Sequence, residues 1–166
     1  KLPLGLAIIG RVYRNEISPR NLTLRQREFN QAELQIFFNP HTVHEHPLFE
    51  SIQDYKLRTL LVDDREKNKV VERTAQELLK TGLPKFYIYH LVKIQQFYFT
   101  QLKISPDKFR LFELNAQEKA FYNKFHFDIE LDLQEHGFTE VGGLHYRTDH
   151  DLSGHEKISK QSMEVL

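Results

Sequence analysis

Seven residues near the start of the chain combine the side chains that a nucleotide and an amine would need. Arg25, Arg27, Phe29, Gln31 and Glu33 recur at every second position, and Arg14 and Glu16 do the same upstream. A period of two is that of a β-strand, so each set shares one face. Guanidinium forks fit phosphate oxygens, an aromatic face stacks on a purine, and a carboxylate pairs with an ammonium. The same pattern describes an exposed sheet face carrying cross-strand salt bridges, and spacing alone leaves both readings open. The histidines offer less. His41, His44 and His46 sit close together, but with no cysteine and no clear fourth ligand they read as a solvated loop rather than a metal site. His150 and His155 read as surface residues or as neighbours of a pyrophosphate.

The elements that must hold these side chains begin with an antiparallel hairpin. Residues 6–14, apolar and bounded by glycine and proline, predict a first strand, and 24–38 predict a second. The polar stretch with Ser18, Pro19, Arg20 and Asn21 turns the chain between them. A helix is predicted over 65–80, with Val70, Val71, Ala75, Leu78 and Leu79 as its apolar stripe and Gly82 as its stop. Pro84 opens a second helix reaching about 103. Its Phe86, Tyr87, Tyr89, Phe97, Tyr98 and Phe99 could offer a stacking platform, but apolar residues on most sides favour burial in a core.

Ser105, Pro106 and Asp107 form a turn, and 109–114 predict a short strand. Asn115 with Glu118 predicts a capped helix running to His136 and closed by Gly137. A last strand over 138–144 passes into the polar stretch 147–155. Strands interrupted by helices, with a hairpin at the start, predict an α+β fold with a mainly antiparallel sheet.

Bulk properties narrow the function classes. A length of 166 residues suffices for one domain with a sizeable core. Lys+Arg and Asp+Glu both number 23, so no overall positive field announces nucleic-acid binding, and any RNA contact must come from a local patch. Cysteine is absent, which excludes disulfides and thiolate chemistry from this stretch and is compatible with a cytoplasmic setting. No apolar run nears the roughly 18 residues that span a bilayer, so no membrane partner is expected, and no segment reads as a secretory leader.

Longer motifs sharpen the hairpin reading. Tyr13-Arg14-Asn15-Glu16-Ile17-Ser18-Pro19-Arg20, followed by Arg25-Gln26-Arg27-Glu28-Phe29-Asn30-Gln31-Ala32-Glu33, resembles the second signature motif of class II aminoacyl-tRNA synthetases in its glycyl-tRNA synthetase form. Ser105-Pro106-Asp107-Lys108, then Gly137-Phe138-Thr139-Glu140-Val141, then Arg147-Thr148-Asp149-His150-Asp151-Leu152 and His155 follow in the order of that family. The resemblance covers most of the chain and is weakest over 40–104, which it marks as a partly helical insertion in a catalytic domain spanning 1–166.

The resemblance implies a glycine–tRNA ligase that activates glycine with ATP and passes it to tRNA(Gly). By similarity Arg14 holds the α-phosphate as the catalytic arginine. Asn15, Glu16, Arg25, Gln26, Phe29, Glu140 and Val141 bind ATP, with Phe29 stacked under the purine and Glu140 able to hold Mg2+. Glu33 receives the glycine ammonium. The family's first motif, a dimer element, is expected before Lys1, and its third motif and anticodon-binding domain after Leu166. The chain is therefore expected to be an incomplete catalytic core of a homodimeric, cytoplasmic enzyme. Two other readings are a non-catalytic synthetase-like paralogue acting as an accessory subunit and a ligase for another small amino acid.

Overall fold

A computed structural model describes residues 2–17 and 24–164. It divides the chain into two compact units, 1–41 and 42–166. In the first unit β1 (Leu4–Tyr13) and β2 (Glu28–Phe37) form an antiparallel ribbon. Its register pairs Leu4 with Phe37, Ile8 with Glu33 and Tyr13 with Glu28. Both expected strands are thus present, while the expected turn over 18–21 lies outside the described residues. The ribbon leaves Leu6, Ile8, Ile9 and Leu34 at least half exposed, and a lone two-stranded ribbon is only marginally stable in water.

The second unit holds β3 (Lys56–Leu60), β4 (Val71–Thr74), the one-turn helix α1 (Ala75–Leu78) and the long helix α2 (Lys85–Thr100). They are followed by β5 (Phe109–Glu113), β6 (Phe125–Asp132), β7 (Phe138–Tyr146) and α3 (His150–Ser159). The sheet runs β4-β3-β5-β6-β7 and is antiparallel except between β3 and β5. The α+β, largely antiparallel expectation holds.

The sheet packs one face on α2. Leu57, Phe109, Leu111, Phe127 and Ile129 meet Tyr87, Ile88, Leu91 and Val92 in one buried cluster. Burial of each such side chain contributes roughly 1.5–3 kcal/mol. The aromatic helix is therefore mainly core, although Phe97 stays half exposed. Gln95 is the polar exception on its buried face. Its amide donates to the Lys56 carbonyl at 2.9 Å and accepts from the Arg58 amide at 2.9 Å, satisfying two backbone groups of β3.

Three expectations are corrected. The helix over 65–80 is instead a 3₁₀ turn (Val62–Lys67) ended by Asn68 at φ 44°, then β4, then α1. Val71 and its neighbours pair with β3, and the helix starts only where Thr74 and Glu77 form a capping box. Gly82 is a stop as expected, at φ 87°, where glycine carries no Cβ penalty.

The helix over 115–136 is replaced by a turn and β6. Asn115 and Glu118 do exchange capping hydrogen bonds of 2.9 and 3.0 Å. Beyond them Phe125, Phe127, Ile129 and Leu131 alternate with polar residues, and β5 and β7 pair with that stretch from both sides. Finally, the polar stretch after Arg147 contains the helix α3.

Candidate functional site

The register of the hairpin decides which predicted residues meet. Val12 pairs with Phe29, Gly10 with Gln31 and Ile8 with Glu33, so Phe29, Gln31 and Glu33 share a face. The Arg14 amide donates to the Arg27 carbonyl at 2.9 Å, extending the ladder by one pair. The Arg14 guanidinium carbon lies 5.5 Å from the Phe29 ring centroid. Arg14, Phe29 and Glu33 therefore lie along one face as the parity of the sequence predicts. Phe29 and Glu33 are separated by roughly 13 Å of strand.

Around the open end of the ribbon the charges interlock. The Arg27 Nε donates to the Glu16 carbonyl at 3.1 Å, and Arg25 Nη1 stands 3.8 Å from Glu16 Oε2. The second contact is solvent-screened, since the Arg25 side chain is 68% exposed, so it adds little stability. Arg14, Arg25 and Arg27 thus crowd one strand end with Glu16 as their nearest counter-charge. Asn15 and Gln26 lie in the exposed segments beside them. Glu33 accepts from Gln35 Nε2 at 2.8 Å on the same face. Arg11 and Glu28, joined at 2.6 Å, occupy the opposite face and show that exposed cross-strand salt bridges are used here as well.

Glu140 and Val141 lie on β7 in the second unit. Glu140 pairs across the strands with Glu130, while Gly142 pairs with Ile129. Val141 is the extra residue of the bulge between them. The face of this sheet turned away from α2 was not singled out by motif. There Arg110 bonds Glu130 through Nε and lies 4.2 Å from the Phe138 ring centroid. Burial pushes the Glu130 carboxyl above its ordinary value and Asp128 adds to this, while the bond and charge of Arg110 oppose it. His126 and His145 stand opposite each other on the same face, with ring centroids 3.9 Å apart. The alternation of residues 125–132 would have revealed half of this set, since it places His126, Asp128 and Glu130 on one side.

The histidine-rich loop is not simply solvated. His46 stacks on Tyr89 of α2 at 3.7 Å, and His90 beside it is pushed down to about 4 by burial, then by the charge of His46. Among the described residues no group of three or more His, Cys, Asp or Glu stands ready to hold a metal ion. A cleft of about 410 Å³ lined by Asp64, Lys67, Lys69, Val70, Val71 and Glu72 contains none of the predicted site residues. No helix among the described residues is long and apolar enough to cross a membrane.

No protein-family profile matches the chain. Its full length is similar to the glycine–tRNA ligase of Pyrococcus abyssi, 41% identical over 169 residues and covering 29% of that protein. The glycine–tRNA ligase of Pyrococcus furiosus is 40% identical over the same length and share. That of Methanothermobacter thermautotrophicus is 35% identical over 170 residues, with 30% of it covered. The chain spans less than a third of the length of the curated relatives it matches.

Proposed function

We propose that this chain, a homologue along its whole length of one segment of the glycine–tRNA ligases, forms part of the catalytic domain of such an enzyme. The observation that carries the reading is the shared face of Arg14, Phe29 and Glu33 on one rigid hairpin. In this reading the adenine of ATP stacks on Phe29, with Glu16, Asn15, Arg25 and Gln26 around it. Arg14 neutralises the α-phosphate, and Glu33 receives the glycine ammonium. The ladder fixes these side chains before the substrates arrive, which lowers the entropy cost of the reactive arrangement.

The reaction so proposed is attack of the glycine carboxylate on the α-phosphorus. A new P–O bond forms as pyrophosphate leaves, and the glycyl group then passes to the terminal ribose of tRNA(Gly) with release of AMP. Positioning and charge neutralisation dominate such a step, which suits arginines better than an acid–base pair. The donor set fits Mg2+ only as a partner of the nucleotide. Glu140 offers one exposed carboxylate, and Glu130 opposite it is tied to Arg110. An ion held by one carboxylate and phosphate oxygens is ordinary for Mg2+, and it would supply charge neutralisation on the phosphates. Val141 would flank the nucleotide. Homodimerisation, a cytoplasmic setting and the role of 40–104 as an insertion in the catalytic domain belong to the same proposal.

Calorimetric titration with a non-hydrolysable glycyl-adenylate analogue tests it, with the alanyl analogue as control. Saturable binding that prefers the glycyl form supports the reading. Equal affinity for both would argue for a ligase of another small amino acid or for a relative that has lost selectivity.

A further inference from the structure

The pair of imidazoles on β6 and β7 is more ordered than a surface pair would be. His126 and His145 face each other across the strands, their ring centroids 3.9 Å apart at an interplanar angle of 38°. Asp128 Oδ1 lies 3.0 Å from His126 Nε2. Asp128 is paired with Gly143, and a Cβ added at Gly143 would lie 2.6 Å from His145 Nε2 and 3.4 Å from His126 Nε2. Both Nε2 atoms therefore converge over a position that only glycine leaves open.

A second observation comes from behind the rings. Asn123 is 5% exposed, and its amide nitrogen lies 3.4 Å from His126 Nδ1 and 3.3 Å from His145 Nδ1. Its Oδ1 and the His126 Nε2 are buried without a hydrogen-bond partner. The two ends of a carboxamide have the same shape, so turning the group over is a modest change. Oδ1 then accepts from both Nδ1–H groups. That fixes both rings in the tautomer whose Nε2 lone pairs point over Gly143. An acceptor behind each ring is the usual support of a metal-ligating histidine.

We propose that His126, His145 and Asp128 form a site for a divalent transition metal of the zinc class, with Asn123 as the residue that orients both imidazoles. Ligand atoms held at about 2.0 Å around a tetrahedral zinc stand roughly 3.3 Å apart, close to the His126–Asp128 separation. Because three groups do not already surround one point, the two imidazoles bind first and the Asp128 carboxylate turns in to complete the set, with water in the open position. The ion joins β6 to β7 beside the bulge that sets Glu140 opposite Glu130. The site makes no use of nucleotide or glycine, so it stands or falls separately from the ligase reading.

The test is titration of the chain with zinc sulfate alone, followed by calorimetry, and with cobalt(II), whose tetrahedral complexes absorb in the visible. One equivalent is expected to saturate the protein. His145→Ala, at an exposed position that folding does not depend on, is expected to weaken binding at least about tenfold, and Asn123→Ala by about tenfold through loss of ring orientation. The double variant His41→Ala, His44→Ala is expected to bind as the parent does. Absence of saturable binding, unchanged affinity in His145→Ala, or loss of binding only in the loop double variant would each overturn the proposal. Far-ultraviolet circular dichroism on every variant separates lost ligands from lost fold.

Discussion

Arg14 and Arg27 stand opposite each other at the open end of the hairpin, joined by a 2.9 Å hydrogen bond from the Arg14 amide to the Arg27 carbonyl. Like charges opposed across a ladder are unfavourable unless something divides them. Glu16 answers part of this charge through its contact with Arg25, while the Arg14 guanidinium lies near Phe29. A phosphate is the natural partner for that surplus. Arg14→Lys keeps the charge but loses the planar fork, and is expected to weaken binding of the glycyl-adenylate analogue about tenfold. Calorimetry reads this directly. Arg14 is exposed, so the unfolding midpoint should not move, and unchanged affinity would remove Arg14 from the phosphate site.

Gln95 holds β3 to α2 through the only polar side chain on the buried face of that helix. Gln95→Leu keeps the volume and leaves the Arg58 amide and Lys56 carbonyl without their bonds. Buried backbone groups left unsatisfied cost about 1–3 kcal/mol each, so a loss of about 3 kcal/mol is expected. Urea unfolding of parent and variant measures it. A loss below 1 kcal/mol would mean that water replaces the amide.

His90 makes the stability of the second unit depend on pH. Burial and the neighbouring His46 hold its folded pKa at about 4, below the ordinary 6.5. The unfolded chain therefore binds the proton first, and stability falls as pH drops from about 6.5 to about 4. The shift sets an upper limit of about 3 kcal/mol, reduced because the ring is not fully buried. His46, also lowered by burial and by Lys93, acts in the same direction. Urea midpoints between pH 7 and pH 4 should decline in the parent and decline less in His90→Phe.

These features were unequally legible in the sequence. The hairpin and the long helix carry one dominant period each and clear breakers, so residues 6–14 and 84–103 were assigned near their observed bounds. Residues 115–136 carried two signals. Asn115, Glu118 and Gly137 punctuate like a helix, and their capping bonds form, yet the strict alternation of 125–132 won because β5 and β7 supply partners on both sides. At 65–80 the apolar spacing suited a helix, but Val71 had a strand to pair with. The hairpin face was legible because parity lies within one strand. The His126–His145 pair was not, because it depends on the register between two strands and on a bulge that sequence spacing does not encode.

Glu33 offers the sharpest test of substrate recognition. It shares the face of Phe29 and accepts only a neighbouring Gln35 amide, an interaction a bound ammonium could replace. Glu33→Gln keeps the shape and removes the charge. A charge-assisted hydrogen bond is about twice as strong as a neutral one, so affinity for the glycyl-adenylate analogue should fall about tenfold. Affinity for ATP alone should change by less than about twofold, because the nucleotide end of the site lies roughly 13 Å along the strand. Parallel titrations with the two ligands give the comparison. Equal losses for both would place Glu33 in the general electrostatics of the hairpin and would leave the amine without its proposed partner.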